Sequence, residues 1–308
     1  MMSDQSKPTS RGAFYRISQL MGFLLGARFF VTALLTFALY VSTFFLFNRE
    51  ESFRNFVFDF KVHAIIFSSV FSILAGGIIN RFYDKEKDQI TKPFRSRFQN
   101  FLKEKYFLFA YIILNVLSLG LAVFVSKRVI VFFLFYQFMM WFYSHKLSKI
   151  LVLNNLTFVG LTLYPFFGML VYYQTFSLKI FFLSIFLFLM LLVIDIIKDT
   201  LTKNADKVFG YDTLANRFGF SNTRSILLVL LLIILSNSII LGIGIGLKNV
   251  IAWYFLISAL IIFLIIFMLF RNHKNDKYIA LNLLRFWIFI GIFAMLFDGI
   301  YHKYPWLI

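Results

Sequence analysis

Asn80, Asp84 and Asp88 recur at every fourth position of Ile78-Ile79-Asn80-Arg81-Phe82-Tyr83-Asp84-Lys85-Glu86-Lys87-Asp88, where an apolar run of helical length gives way to dense charge. On an unbroken helix their oxygens stack on one face. Such a comb suits a hard cation like Mg2+, which keeps several waters and is shared between one or two carboxylates and phosphate oxygens. The plain alternative is a solvated helix end with charges of alternating sign. A second stretch, Val193-Ile194-Asp195-Ile196-Ile197-Lys198-Asp199 through Asp206, repeats the pattern. At about 100° per residue, Asp199 and Asp206 fall about 40° and 20° from Asp195, so the three share a face if the helix is unbroken. Asp195 is flanked by aliphatics, where a carboxylate is costly and should have a partner. Seven of the 14 acidic residues (Asp84, Glu86, Asp88, Asp195, Asp199, Asp206 and Asp212) lie in these two segments.

The elements that hold these combs follow from composition. Of 308 residues, 60% are hydrophobic and only 15% charged, and the mean hydropathy is +0.82. Soluble domains carry about a quarter charged residues, so the chain reads as an all-α integral membrane protein. Its apolar segments have the length of membrane-spanning helices rather than the short alternation of barrel strands. Nine spans are expected, at about 22–47, 62–80, 105–125, 129–143, 154–174, 178–197, 224–246, 250–270 and 280–300, around a central cavity. Residues 1–21 read as a cytoplasmic tail without the apolar core of a cleaved signal, and 22–308 as one domain. There are no cysteines, which removes disulfides, thiolate metal sites and a thiol nucleophile.

The net charge of +17 could serve nucleic acid, but in so apolar a chain it is better read as topology. With the N-terminus in the cytoplasm, 23 of the 31 Lys and Arg fall on the cytoplasmic side, as the positive-inside rule requires. Both combs then face the cytoplasm from a plasma or inner membrane. No nucleic-acid or obligate protein partner is expected.

Carboxylate combs at the cytoplasmic ends of spans two and six, ringed by Lys and Arg above an apolar interior, describe a site for an amphiphile with a polyanionic head. A prenyl diphosphate fits. The carboxylates would hold Mg2+, and basic side chains would neutralise the remaining charge of a departing diphosphate. A secondary transporter would also carry intramembrane carboxylates, but with Gly/Pro-broken segments near mid-membrane; here Pro165 is the only proline inside an expected span.

The two combs resemble those of the UbiA superfamily of intramembrane prenyltransferases, whose first motif runs Asn-x-x-x-Asp-x-x-x-Asp and whose second runs Asp-x-x-x-Asp with a further Asp, on nine helices. Asn80, Asp84, Asp88, Asp195, Asp199 and Asp206 match these positions, and the resemblance implies that they are the Mg2+ ligands. Asp88-Gln89-Ile90-Thr91-Lys92-Pro93-Phe94-Arg95 resembles the continuation found in members acting on geranylgeranylglycerol phosphate or chlorophyllide, and Tyr143-Ser144-x-x-Leu147 resembles a further family segment. It implies a glycerol-phosphate-type lipid acceptor first, with an aromatic quinone precursor as the alternative. Asn80, Lys92, Arg95 and Lys198 are then candidates to bind diphosphate, and Arg28, Tyr143 and Lys198 to act in catalysis. Each has a plain reading too: Arg28 as a snorkelling interfacial residue, Lys92 and Arg95 as lipid-headgroup contacts, Lys198 as the partner of Asp195. Tyr83 and Tyr143 border motif segments and are therefore the aromatic residues expected at the pocket. Arg81, Ser96 and Thr202 depart from the family pattern, so the metal set is thinner than in many members. His63, His145, His273 and His302 show no metal-ligand spacing, and Asp298 reads as interfacial.

Overall fold

The computed structural model describes residues 12–48, 52–271 and 273–304. Among them there are helices and no strand. In chain order these are α1 (Ala13–Gly26), α2 (Phe29–Ser42, continued by a wider turn over Thr43–Phe47), α3 (Phe53–Phe58), α4 (Phe60–Tyr83), α5 (Lys85–Thr91), α6 (Pro93–Gln99), α7 (Glu104–Val123), α8 (Lys127–His145), α9 (Leu153–Tyr173), α10 (Leu178–Val208), α11 (Leu214–Ile245), α12 (Val250–Arg271) and α13 (Lys274–Lys303). Eight of these, α2 with its wider turn, α4, α7 and α9–α13, are long and apolar enough to cross a membrane. The helix on the expected fourth span, α8, is not among them; it carries Lys127, Arg128, Gln137 and His145.

Local chemistry sets many of the boundaries. Ser52, Asp59, Ser126, Ser177 and Thr213 each accept a hydrogen bond from a backbone N–H in the first turn of the helix that follows, a cap worth about 1 kcal/mol. Pro93 opens α6, where its fixed φ suits the first helical position.

Two expectations change. The first span is not one helix: α1 ends at Gly26, Arg28 adopts φ 55° and ψ 36°, and α2 restarts at Phe29. The stretch read as the end of a polar tail is therefore helical from Ala13, and α1 packs on α6. Of the basic residues counted for topology, Lys7, Arg11 and Arg49 lie outside the described residues. The first comb is not on one helix either. Asp84 has φ −93° and ψ 7°, which ends α4 and begins α5, but the Asp88 N–H still bonds the Asp84 carbonyl at 2.8 Å. The joint bends the comb without scattering it.

The helices close into a ring in which α2 touches both α4 and α13. One apolar cluster is built on α2, α4, α8 and α9, another on α9–α13. Small residues bring helices close, as membrane packing requires. Ser68 and Ser118 exchange hydroxyl-to-carbonyl bonds of 2.9 Å between α4 and α7. A Cβ on Gly77 would stand 2.8 Å from the Ala27 carbonyl oxygen, so glycine there lets the α1–α2 joint, and with it Arg28, sit directly against α4. The outward faces stay apolar: Val116, Ile243, Leu260 and Phe263 are 62–70% exposed, as lipid-facing side chains should be.

Candidate active site

The second comb meets the condition set for it. Asp195, Asp199 and Asp206 all lie on the single helix α10, and all three are buried. Lys198 Nζ stands 2.7 Å from Asp195 Oδ1 and 3.9 Å from Asp199 Oδ1, which is the pairing a buried Asp195 demands. On the other side of the pair, Asn155 Nδ2 donates to Asp195 Oδ2 at 2.8 Å and to Asp199 Oδ2 at 2.9 Å, and Asn154 Nδ2 reaches Asp199 Oδ2 at 3.3 Å. These two asparagines open α9 and fix the facing edges of both carboxylates. Thr202, which stands where the family pattern has an acid, donates to Asp206 Oδ2 at 2.7 Å.

In the first comb, Asn80 Nδ2 donates to Asp84 Oδ2 at 2.7 Å, and Lys92 Nζ pairs with Asp88 Oδ1 at 2.7 Å. Two cross-links bring the combs together. Tyr211 donates its phenolic hydrogen to Asp84, and Lys87 Nζ lies 2.5 Å from Asp206 Oδ1. The same Lys87 ammonium sits 3.6 Å from the centre of the Tyr211 ring, a cation–π contact. Burial first, and then the Asp84 charge, raise the Tyr211 hydroxyl well above its ordinary pKa, so it remains a donor. Gly219, at φ 71° and ψ 173°, breaks α11 after its first turn; that turn is tied back by Asn216 Nδ2 to the Tyr211 carbonyl at 3.0 Å.

A basic wall completes the site. Arg28, Lys92 and Arg95 lie within electrostatic reach of one another. Burial lowers Lys92 to about 8, with Arg28 and Lys198 adding repulsion and Asp88 opposing it. Arg95 is lowered to about 10 by burial and by Arg28. Arg95 donates one bond to the Leu25 carbonyl at 2.6 Å, yet its Nε and the Nε of Arg28 are buried without a hydrogen-bond partner. Unpaired guanidinium donors beside like charges could each donate to an anion. Tyr143 lies within electrostatic reach of Asp84, Asp195, Asp199 and Lys198. Phe158 stands between them, its ring 6.2 Å from that of Tyr143 and 5.4 Å from Lys198 Nζ.

All eleven residues singled out in the sequence therefore gather at one end of the bundle. Arg81 does not face the combs: it turns to Gln99, at 3.0 Å, and stacks on Phe107. Tyr83 packs on His145, and Ser96 is buried. Asp298 caps α12 through the Ile251 N–H at 3.2 Å. Sequence reasoning missed Lys87, Asn154, Asn155 and Tyr211. The Asn-Asn pair at the start of an apolar span was a visible signal; Tyr211, between combs and helices, left none.

The oxygen donors fit a hard divalent cation. At three of the carboxylates an ammonium nitrogen already stands 2.5–2.7 Å away, so positive charge is what these oxygens select. Among the described residues, no three His, Cys, Asp or Glu side chains converge on one point. Each comb would supply part of a coordination shell, with water and ligand oxygens completing it.

The model of the UbiA prenyltransferase family matches residues 53–290. No curated protein matches the chain by sequence. Solved structures do match its fold. A digeranylgeranylglyceryl phosphate synthase aligns with a TM-score of 0.69 at 19% identity, over 92% of this chain and 99% of its own. A UbiA homologue from Archaeoglobus fulgidus bound to GPP and Mg2+ aligns with 0.62 at 17%, over 89% and 99%. One from Aeropyrum pernix K1 in its apo form aligns with 0.65 at 14%, over 86% and 96%.

Proposed function

The chain belongs to the UbiA prenyltransferase family, and from that premise we propose that it transfers a prenyl chain from its diphosphate to a glycerol-phosphate-type lipid, with Mg2+ held by the two combs. The observation that carries this reading is the joining of the combs, through Tyr211–Asp84 and Lys87–Asp206, beside guanidinium groups with unpaired donors. Asn80, Asp84, Asp88, Asp195, Asp199 and Asp206 would together hold two ions, each ion taking only one or two of these oxygens, with water and diphosphate completing its shell. Bound there, the metal supplies Lewis-acid stabilisation of the leaving diphosphate.

The protein's own groups do the rest. Arg28, Lys92 and Arg95 meet the phosphate oxygens and, with Lys198, offset the charge that develops as the allylic C–O bond breaks. Tyr143 and Phe158 present ring faces where an allylic cation would form. The acceptor hydroxyl oxygen then bonds to the allylic carbon and releases its proton to the medium. Asn155 and Asn154 keep Asp195 and Asp199 in one orientation through the cycle.

The acceptor preference rests on the Lys92-Pro93-Phe94-Arg95 continuation and on the fold likeness to a digeranylgeranylglyceryl phosphate synthase; prenylation of an aromatic quinone precursor is the second reading. Nine spans, α8 being the fourth, are taken from the apolar segments, and an N-terminus in the cytoplasm from the distribution of Lys and Arg; together they would set the site toward the cytoplasm.

The test is turnover of radiolabelled geranylgeranyl diphosphate by the solubilised protein, with and without Mg2+, against lipid and aromatic acceptors, for wild type beside Asp84→Ala and Asp199→Ala. Product that needs Mg2+ and disappears in both variants is expected. Turnover with aromatic acceptors alone would overturn the lipid reading, and metal-independent turnover would overturn the role of the combs.

A further inference from the structure

Two cavities lie end to end inside the ring. The inner one, about 170 Å3, is almost wholly apolar and starts at Leu191 on α10, one turn from Asp195, and at Ile73 on α4, two turns from Asn80. It descends along α10 through Leu187 and Phe186 to Leu183, eight residues or about 12 Å from Leu191. The outer cavity, about 420 Å3, opens at the opposite end of the bundle among Lys179, Asn249, Asp298 and His302. Four residues line both: Leu183, Ile251, Phe255 and Met295. They come from α10, α12 and α13 and meet at the junction. Leu183, Ile251 and Met295 are only half-buried although they lie within the bundle, as side chains facing open space must be. Phe255 is buried and held edge-on by Phe186, with centroids 5.2 Å apart.

The sizes decide what this arrangement admits. The inner cavity by itself falls below the ~300 Å3 lower end of small-molecule sites, whereas the two joined lie well within that range. A short allylic tail fits above these four residues; a long one that follows the bundle axis would extend past them. We propose that Leu183, Ile251, Phe255 and Met295 together form a ring that acts as a chain-length gate, through which the tail of a long prenyl diphosphate, of geranylgeranyl size or larger, threads along the bundle axis into the outer cavity. This rests on the proposed donor class and deepens it. The walls suit such a tail: the inner lining is mostly Leu, Ile and Phe side chains and offers few polar atoms. The polar mouth at the far end disfavours burying a terminal hydrocarbon beyond the ring of Asn249 and His302, which sets an upper limit on length.

The experiment compares kcat/KM for dimethylallyl, geranyl, farnesyl and geranylgeranyl diphosphate in wild type, Leu183→Trp, Met295→Trp and Met295→Ala. Thermal stabilisation of the same proteins by dimethylallyl and geranylgeranyl thiodiphosphate is measured alongside. Each Trp variant, on a different helix, should lower the geranylgeranyl-to-dimethylallyl ratio of kcat/KM at least tenfold, while Met295→Ala should leave it equal or raise it. A ratio unchanged in both Trp variants would overturn the gate, because the tail would then leave sideways between helices. If wild type turns over no donor, the proposed function falls, and the gate is judged by binding. Loss in the Trp variants of stabilisation by the geranylgeranyl analogue alone upholds it; equal loss or retention for both analogues overturns it.

Discussion

Lys87 Nζ lies 2.5 Å from Asp206 Oδ1, joining the short helix after the first comb to the far end of the second. The Asp206 side chain is 1% exposed, so removing its partner leaves a buried, uncompensated charge, a loss on the order of 3–5 kcal/mol. Lys87→Met should lower the unfolding midpoint of the solubilised protein markedly, and Lys87→Met with Asp206→Asn should recover most of it. Additive losses in that double-mutant cycle would show that the two residues are not coupled.

Asn155 bonds both Asp195 and Asp199 and touches neither with charge. Groups that orient ligating carboxylates typically matter 10–100-fold in metal affinity or activity. Asn155→Leu should therefore raise the Mg2+ concentration for half-maximal turnover by about that factor, read from a metal titration. An unchanged titration curve would exclude the orienting role.

Arg28 occupies the left-handed region at φ 55°, a conformation that costs a side-chain-bearing residue about 1–2 kcal/mol. Strain of this kind persists where the arrangement serves a function. Arg28→Gly should keep or raise thermal stability and at the same time weaken diphosphate binding about 10–100-fold, the loss of one charged hydrogen-bond donor. Titration with inorganic diphosphate and a thermal melt separate the two effects; a parallel fall in both would make Arg28 structural.

Gly77 carries the α1–α2 joint against α4, where a Cβ would stand 2.8 Å from the Ala27 carbonyl oxygen. Gly77→Val should push the joint and Arg28 outward, raising KM for the diphosphate donor several-fold with a smaller change in kcat. Equal KM values for wild type and variant would mean that the joint does not position Arg28.

The sequence by itself determined the helical membrane architecture and which residues make up the candidate site, because both depend on features local in the chain. Long apolar runs must satisfy their backbone hydrogen bonds internally in lipid, and carboxylates at helical spacing must share a face. Asp195, Asp199 and Asp206 were legible for that reason, and α10 remains unbroken through all three. The tertiary structure decided what depends on neighbours distant in sequence. It broke the expected first span at Arg28, where the joint packs on Gly77, and bent the first comb at Asp84, where Tyr211 donates to the carboxylate. It also chose the partners: Lys87 for Asp206, Asn155 for Asp195 and Asp199, and Arg81 for Gln99 rather than for the combs. The lining of the apolar path was fixed there too, because which face of an all-apolar helix turns inward is settled by packing and leaves no periodic trace in a uniformly hydrophobic sequence.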